Sequence, residues 1–550
     1  MENLKRTKAS EKAMKLLYIR PFLSGEMYEP PLGIGFIASY LREKFPNIEQ
    51  EVLDLDVLKL TKDKARVEIK TRKPDIVCIS AFSYNRFDGF DLAKIAKEEA
   101  NAYVIFGGQH TTFLDKDTLE HIPWIDVIIR GEAEETIVEV LQRWQQGKNL
   151  KGVNGVSYMD HGKFVRNPDR EFMEIMNQPM PAYDLFPTAQ YKYYGIMGTR
   201  GCPYNCNFCG SPQFWKRKLR TRDPVKVVDE IEYLIKTYGN KVVHMKDDVF
   251  TADKVWARIV MEEIERRNLN IEWECLTRVN LVDKDILALM KRTGCRLIEY
   301  GIETGNEQLM KTISKGIVKT MVVNSIKLTK EAGINLGTFF MIGHPGETKE
   351  TLEETFNFAF KLRGDVVTFT LTDAIPGTAL YDMAIAEGYI PKNFSWAAED
   401  KRNFSGFPVP RFQNTNLSEK MMREYSRRFV MRFALGRLFD MQDEKDYTYL
   451  FRNEYTPYHF TIKSRADLTL FLDELQKAWK LSSSAGKRLK GAALLPFFMS
   501  RLVKNHGIRL YRKTKIKLQS HDGRIHEESI DKPPEAIQAV PSIKNAVESE

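Results

Sequence analysis

Two long stretches of this chain alternate short apolar runs with helical patterns, and this alternation most constrains the fold. Residues 15–147 contain five β-branched apolar runs, and residues 194–386 contain six more, each separated from the next by a helical pattern. Continuous apolar strands that alternate with helices indicate parallel sheets covered on both faces. The chain is therefore predicted to be an α/β protein with two successive parallel-sheet domains.

The two stretches differ in strand number, which predicts two different architectures. Five strands in about 130 residues fit a flavodoxin-like doubly wound domain, whose ligands bind at the C-terminal ends of the strands. Six βα units are too few to close an eight-stranded barrel, so an open (β/α)6 partial barrel is expected. The first domain is predicted at residues 15–147, a linker with a hairpin at 148–193 and the barrel at 194–386. A helical, basic region at 387–519 and a disordered tail at 520–550 follow.

The positive charge of the chain is concentrated near its C-terminal end. The formal net charge is +9, yet residues 487–517 contain ten Lys or Arg and no Asp or Glu. The remaining chain is close to neutral, which argues against a surface built for nucleic acid. Within this segment, residues 487–504 combine an apolar patch with flanking cations. Such a pattern suits either a membrane-surface element or a helix packed on the barrel, and both alternatives stay open.

The remaining composition favours a reducing compartment. Six cysteines in 550 residues do not make a disulfide framework. The basic N-terminus lacks the apolar core of a signal peptide, and no run of about 18 apolar residues is present. The protein is predicted to be cytoplasmic, with the alternative that it lies peripherally at the inner face of a membrane.

Three of the cysteines form one motif, C-x3-C-x2-C, at Cys202, Cys206 and Cys209, with Phe208 before the last. Three thiolates can hold three irons of a cubane cluster and leave the fourth iron open to a ligand, whereas zinc sites and saturated clusters use four protein ligands. No fourth Cys or His is near in sequence, and the nearest candidates are predicted to lie in barrel strands: His244, Cys275 and Cys295. The three motif cysteines are therefore the predicted metal ligands.

This motif resembles that of the radical S-adenosylmethionine (SAM) enzymes, and the upstream domain resembles the cobalamin-binding domain that precedes many of them. Together the resemblances cover residues 15–386, about two thirds of the chain. They imply a reduced [4Fe-4S] cluster that cleaves SAM to a 5′-deoxyadenosyl radical, which abstracts hydrogen from an unactivated carbon. They also imply cobalamin as a methyl carrier and an electron donor such as flavodoxin or ferredoxin.

The resemblance also implies cofactor-binding residues at the ends of the predicted strands. In the barrel, these residues would contact SAM: Asp247 or Asp248 at the methionine ammonium, Arg278 at the carboxylate, Glu303 at the ribose, Gly343 near the adenine, and Phe208 beside the cluster. In the first domain, cobalamin would contact Ser80, Gly107, Gly108, Gly131 and Glu132. The Asp-x-His-x-x-Gly signature of one group of cobalamin proteins is absent, so His110 is expected to line the corrin ring rather than to bind cobalt.

Three functions are compatible with these residues. The run at residues 375–378 looks like that of methyltransferase members, which favours methylation. If the segment at residues 487–504 docks on a membrane, a bulky apolar small molecule or lipid is the expected substrate. Residues 214–215 and 222–232 resemble the anaerobic magnesium-protoporphyrin ester cyclases, so oxidative cyclisation of a tetrapyrrole is the alternative. A non-catalytic sensor of cluster and cobalamin is the third. A tRNA methylthiotransferase is disfavoured, because that group has a second Cys triad near its N-terminus, where this chain has only Cys78.

Overall fold

The computed structural model describes residues 13–22, 29–191, 193–239, 242–398 and 416–438. All of these up to residue 433 belong to one compact unit, and most of the remaining chain belongs to a second. The predicted helix at residues 467–481, the basic segment at 487–504 and the tail at 520–550 lie outside the described residues. None of the helices in the described ranges is both long enough and apolar enough to cross a membrane.

The first domain is a seven-stranded sheet with the spatial order β2-β1-β3-β4-β5-β6-β7, and its first five strands are parallel. The strands are β1 Lys15–Arg20, β2 Glu49–Asp54, β3 Ile76–Ser80, β4 Tyr103–Gly107, β5 Val127–Ile129, β6 Val156–Asp160 and β7 Lys163–Arg166. The helices are α1 Leu32–Lys44, α2 Lys62–Arg72, α3 Arg86–Ala100, α4 Gln109–Phe113, α5 Asp115–His121 and α6 Glu134–Gln145. The order of the five parallel strands is the flavodoxin-like order, as predicted.

Strand β1 shows why this sheet is buried on both faces. Successive side chains of a strand point to opposite faces. Leu17 and Ile19 pack in one apolar core, whereas Leu16 and Tyr18 pack in the other. A strand that is apolar on both faces is stable only between two layers of helices, which is why its sequence has no polar alternation.

The segment predicted as a linker with a hairpin contains two strands, β6 and β7. Its hairpin, β6 and β7, pairs antiparallel with β5 and so extends the first sheet. Two short 3-10 turns follow, Tyr183–Leu185 and Thr188–Gln190. Ala182 donates its N–H to the carbonyl of Gly35 in α1 at 3.0 Å, and Pro181 packs against the same glycine. An uncovered sheet edge exposes unpaired backbone groups, and the hairpin covers this edge of the first sheet by pairing with β5.

The second sheet has six parallel strands in sequential order, with β8 and β15 at its two edges. Its strands are β8 Tyr194–Ile196, β11 Val242–Met245, β12 Glu272–Thr277, β13 Cys295–Glu303, β14 Asn335–Ile342 and β15 Val366–Leu371. Its main helices are α8 Pro224–Tyr238, α9 Lys254–Arg266, α10 Lys284–Arg292, α11 Glu307–Thr312, α12 Lys319–Glu331 and α13 Lys349–Leu362. This arrangement confirms the predicted open partial barrel.

Several smaller elements complete the described chain. Between β8 and α8 lie the two-stranded ribbon of β9 Thr199–Arg200 and β10 Arg220–Thr221 and the short helix α7 Ser211–Phe214. A 3-10 turn, Val279–Leu281, follows β12, and the barrel is followed by α14 Ala379–Ala386 and α15 Glu419–Leu438.

The segment after α14 returns to the first domain. The carbonyl of Trp396 accepts a hydrogen bond from Nε of Arg86 at 2.7 Å, and Ala397 packs in one of the two cores of the first sheet. Asp117 of α5 accepts hydrogen bonds from Ser395 Oγ and the Ala397 N–H at 2.6 and 3.0 Å. This segment therefore fixes the barrel end against the first domain.

Candidate functional site

The three motif cysteines lie on a loop that the β9–β10 ribbon presents at the C-terminal edge of the barrel. Gly201, just before Cys202, has φ +95°, and a Cβ at this position would overlap the carbonyl oxygen of Lys218. Only glycine fits a left-handed backbone so close to another segment of the main chain. The C-terminal end of α11 supports the motif, because Asn207 donates to the carbonyls of Ile313 and Thr312 at 3.3 and 3.1 Å.

The thiols suit an iron–sulfur cluster better than a single ion. Burial raises the pKa of Cys202, and it raises the pKa of Cys209 to about 12, so bound cations are needed to favour the thiolates. Among the described residues, no three His, Cys, Asp or Glu side chains converge on a point that could hold one metal ion. Cysteines that each bind a separate iron of a cubane need no such convergence, so the donor set fits a [4Fe-4S] cluster.

Two carboxylates follow β11 beside the cysteine loop. Asp247 is 1% exposed and accepts the Thr199 N–H at 2.5 Å, while its second oxygen has no hydrogen-bond partner among the described residues. Burial raises its pKa to about 6. Asp248 accepts a hydrogen bond from Ser211 Oγ at 2.5 Å. An unpartnered buried carboxylate oxygen fits a ligand that donates, such as an ammonium group.

Arg278 and Glu303, at the next two strand ends, already have protein partners. Glu303 pairs with Lys315, with 2.5 Å between Oε1 and Nζ, and both side chains are buried. Arg278 lies over the ring of Tyr204, with its Cζ 3.7 Å from the ring centre. Lys315 was missed by sequence reasoning, because the short loop after α11 shows no periodic pattern.

His344, which follows Gly343 in the chain, contacts Phe208 of the cysteine loop. Gly343 has φ +97°, and its N–H donates to the carboxylate of Glu347, whose pKa burial raises to about 7. His344 packs edge-on against Phe208, with 6.1 Å between ring centres. A Cβ on Gly343 would overlap Met422 of α15, so this helix covers the fifth strand end.

A cavity of about 520 Å³ lies between the strand ends of the first sheet and the cysteine loop. All five residues predicted to contact cobalamin line it: Ser80, Gly107, Gly108, Gly131 and Glu132. Its other wall includes Cys209 and Asp248, so the two groups of predicted residues share one space. Gly108 has φ +102°, and a Cβ there would lie 2.5 Å from the Ala81 carbonyl oxygen. The volume and the mainly apolar lining are typical of cofactor sites.

Glu132 lines this cavity and also joins the two domains. Its carboxylate accepts hydrogen bonds from Arg200 at 2.7 Å and from Arg220 at 2.8 and 2.9 Å. Arg200 also pairs with Glu134 at 2.6 Å. The arginines belong to β9 and β10, on either side of the cysteine loop. Sequence reasoning missed both, although Arg200 lies two residues before Cys202.

His110 does not line the cavity, contrary to expectation. Its side chain is buried between Phe90 and Trp396, and Ser83 Oγ lies 3.0 Å from Nδ1. Burial lowers its pKa well below the usual value. The neighbouring Gln109 lines the cavity instead and reaches Gly210 after the last motif cysteine.

The inward face of the barrel carries a charged cluster that the sequence patterns did not indicate. His244 contacts Glu29 of the first domain through Nδ1 and Glu274 through Nε2, the latter at 3.2 Å. Lys246 also pairs with Glu29, at 2.9 Å. Glu299 lies nearby, and burial, reinforced by the charge of Glu274, raises its pKa to about 7. His244 is thus part of the barrel wall, as predicted, and is paired there with carboxylates.

Comparisons with known proteins agree with this geometry. Residues 196–359 match the radical SAM superfamily model, and residues 23–141 match the B12 binding domain model. The uncharacterized methyltransferase PH0819 of Pyrococcus horikoshii is 34% identical over 392 residues, which are 69% of this chain and 85% of that protein. The anaerobic magnesium-protoporphyrin IX monomethyl ester cyclase of Rubrivivax gelatinosus is 30% identical over 389 residues, 67% of this chain and 69% of that protein.

Two solved structures share the fold at low sequence identity. The cobalamin-dependent SAM radical enzyme OxsB with aqua-cobalamin bound gives a TM-score of 0.65 at 17% identity, covering 92% of this chain and 82% of that chain. The radical SAM methyltransferase TsrM from Kitasatospora setae, with cobalamin and a [4Fe-4S] cluster bound, gives 0.60 at 18% identity, covering 76% and 85%.

Proposed function

This chain belongs to the cobalamin-binding enzymes of the radical SAM superfamily, and from that premise we propose that it methylates an unactivated carbon of a bulky apolar substrate. When bound, the cluster and SAM supply a 5′-deoxyadenosyl radical that abstracts hydrogen from carbon, and cobalamin supplies the methyl carrier. The observation that carries the proposal is the shared cavity, in which Cys209 and the glycines of the first sheet face one another.

The residues of the chain have separate tasks in this proposal. The three motif cysteines hold the cluster, and the unpartnered oxygen of Asp247 accepts a hydrogen bond from the SAM ammonium. Gly107, Gly108 and Gly131 let the corrin approach the backbone of the strand ends. The apolar cavity walls exclude water, which protects a radical from side reactions.

The proposal is tested with full-length protein reconstituted anaerobically with iron, sulfide and cobalamin, then given reductant and methyl-labelled SAM in a cell extract. A small molecule that gains the label supports methylation. Cys206→Ala is expected to lose cluster absorbance and 5′-deoxyadenosine release, whereas Cys275→Ala, a buried cysteine outside the motif, is the matched control. A cluster that forms without any 5′-deoxyadenosine release would contradict the enzymatic function and favour a sensor.

Oxidative cyclisation is the second candidate, and the 30% identity to the Rubrivivax gelatinosus cyclase favours it specifically. The same experiment separates the two reactions. A product that loses hydrogen and carries no methyl label would support cyclisation and refute methylation.

Two partners belong to the proposal as well. An external one-electron donor such as flavodoxin or ferredoxin would reduce the cluster. Contact of the basic segment at residues 487–504 with a membrane would bring a lipid substrate to the enzyme. This segment lies outside the described residues, and the proposed membrane contact rests on its apolar and basic sequence. Sedimentation of the protein with anionic and neutral vesicles tests it, since selective binding to anionic vesicles is expected.

A further inference from the structure

Arg278 is held in place by four neighbours. The side chain is buried, with 5% of the residue exposed. Its Nη2 donates to the carbonyl of Lys315, its Nε donates to Asn280 Oδ1 at 3.3 Å, and its Nη1 donates to Cys206 Sγ at 3.6 Å. The ring of Tyr204 covers one face of the guanidinium at 3.7 Å.

Two of these four neighbours belong to the cysteine loop itself. Tyr204 lies between the first two motif cysteines, and Cys206 is the second of them. The planar guanidinium can stack on a ring while its edge donates hydrogen bonds, a combination that an ammonium group cannot reproduce. The guanidinium is therefore oriented by the loop and by the Lys315 carbonyl, which reduces its freedom to follow the carboxylate of a ligand.

A cation in this position acts on the electrostatics of the cluster. Hydrogen bonds and positive charge at a thiolate ligand stabilise the more negative, reduced state of an iron–sulfur cluster and raise its reduction potential. Cys206 is the thiolate that receives this donor in the structure. The neighbouring cation, Lys315, is neutralised by Glu303, so its charge contributes less.

We propose that Arg278 is a positioning residue for the cluster, which fixes the cysteine loop through Tyr204 and raises the reduction potential through its N–H donated to Cys206. The inference rests on the proposed function only in requiring that a cluster forms. It concerns the readiness of the cluster to accept an electron and not the identity of the substrate.

The test compares Arg278→Gln, Arg278→Lys and Tyr204→Leu with wild type in the reconstituted full-length protein. Arg267→Gln is the matched control, because it removes a largely buried arginine that pairs with Asp229, Glu232 and Glu263 at the end of α9. The midpoint potential of the cluster is measured by redox titration with electron paramagnetic resonance, without SAM. SAM affinity is then measured separately by equilibrium dialysis.

Arg278→Gln is expected to shift the midpoint to more negative potential, with Arg278→Lys between it and wild type and the control unchanged. Tyr204→Leu keeps the charge but loses the stacking, and a smaller shift in the same direction is expected. An unchanged potential in all variants, with a tenfold or greater loss of SAM affinity in Arg278→Gln, would overturn the inference in favour of carboxylate binding. If Arg278→Gln assembles no cluster, the lysine and leucine variants decide the outcome. Failure of the wild type itself to form a cluster would instead refute the proposed function.

Discussion

The ion pair between Arg200 and Glu134 gives the sharpest test of how the two domains are held together. Both side chains are 5% exposed, and Nη2 of Arg200 lies 2.6 Å from Oε1 of Glu134. Burial alone would raise the pKa of Glu134, but the guanidinium outweighs it and holds the pKa below its ordinary value. The pair therefore contributes fully to the stability of the folded state at neutral pH, and this stability is lost as the pH falls through the depressed pKa of Glu134.

Glu134→Gln removes the charge and keeps the shape. Loss of one partner of a buried ion pair costs about 3–5 kcal/mol. The cost here is expected at the lower end, about 3 kcal/mol or roughly a hundredfold in the local opening equilibrium, because Arg200 keeps Glu132 at 2.7 Å. The oxygen of the glutamine can also still accept the hydrogen bond from Gln178.

Amide hydrogen exchange measures this opening, because it reports local free energies. Peptides that cover the β9–β10 ribbon, residues 197–223, are expected to exchange about a hundredfold faster in Glu134→Gln. The matched control is Asp184→Asn, which removes the charge that pairs with Arg42 at the surface. The Asp184 side chain is 55% exposed and that of Arg42 is 41% exposed. An exposed pair is worth about 0–1 kcal/mol, so the control is expected to change exchange by less than about fivefold. Equal effects of the two variants would refute the argument that burial gives the Arg200 pair its strength.

Three further predictions follow from single residues. Gly201→Ala, with its added Cβ against the Lys218 carbonyl, is expected to abolish iron incorporation, whereas Gly147→Ala, also at positive φ but with nothing within 4 Å, is expected to retain it; iron and sulfide analysis checks both. SAM binding is expected to weaken as the pH falls below about 6, where Asp247 takes up a proton, and dialysis from pH 5 to 8 checks this, with a flat profile in Asp247→Asn. As the pH rises from 4.5 to about 7, only the unfolded state of the wild type loses the Glu299 proton, which destabilises the folded wild type. Glu299→Gln is therefore expected to gain stability relative to wild type over this range, by at most about 3 kcal/mol. Chemical denaturation in the absence of cofactors measures this difference, and a difference that does not change with pH would mean that Glu299 is already charged in the folded state.

The sequence was sufficient for those features that local patterns encode. Apolar runs and helical periodicity predicted both sheets. The spacing of three cysteines predicts the metal ligands, and this assignment stays a prediction. The glycines at strand ends were also recognisable, because a position such as Gly108 excludes a side chain for steric reasons that any doubly wound domain shares. The structure then brought Gly108 and Cys209 to the same cavity.

Features that depend on distant segments could not be predicted in this way. His110 is buried because Trp396, from beyond the barrel, packs on it. Glu132 is paired with Arg220, 88 positions away, and no periodicity reports such a partner. A local pattern shows which face of an element is apolar, but it does not show which remote segment covers that face.

The arginine pairs also explain how one ribbon connects the cysteine loop to the strand ends of the first sheet. Arg200 and Arg220 lie on β9 and β10, the two strands that enter and leave the cysteine loop, and both bind Glu132 at the exit of β5. The distance between the cysteine loop and the strand ends of the first sheet is therefore set by a buried charge-paired contact rather than by the length of the intervening chain. Glu134→Gln removes one of the two carboxylates that hold Arg200, while the contacts of Glu132 and the three cysteines themselves are unchanged. It follows that cluster assembly and 5′-deoxyadenosine release should survive in that variant, while methyl transfer, which needs both cofactors in register, should fall.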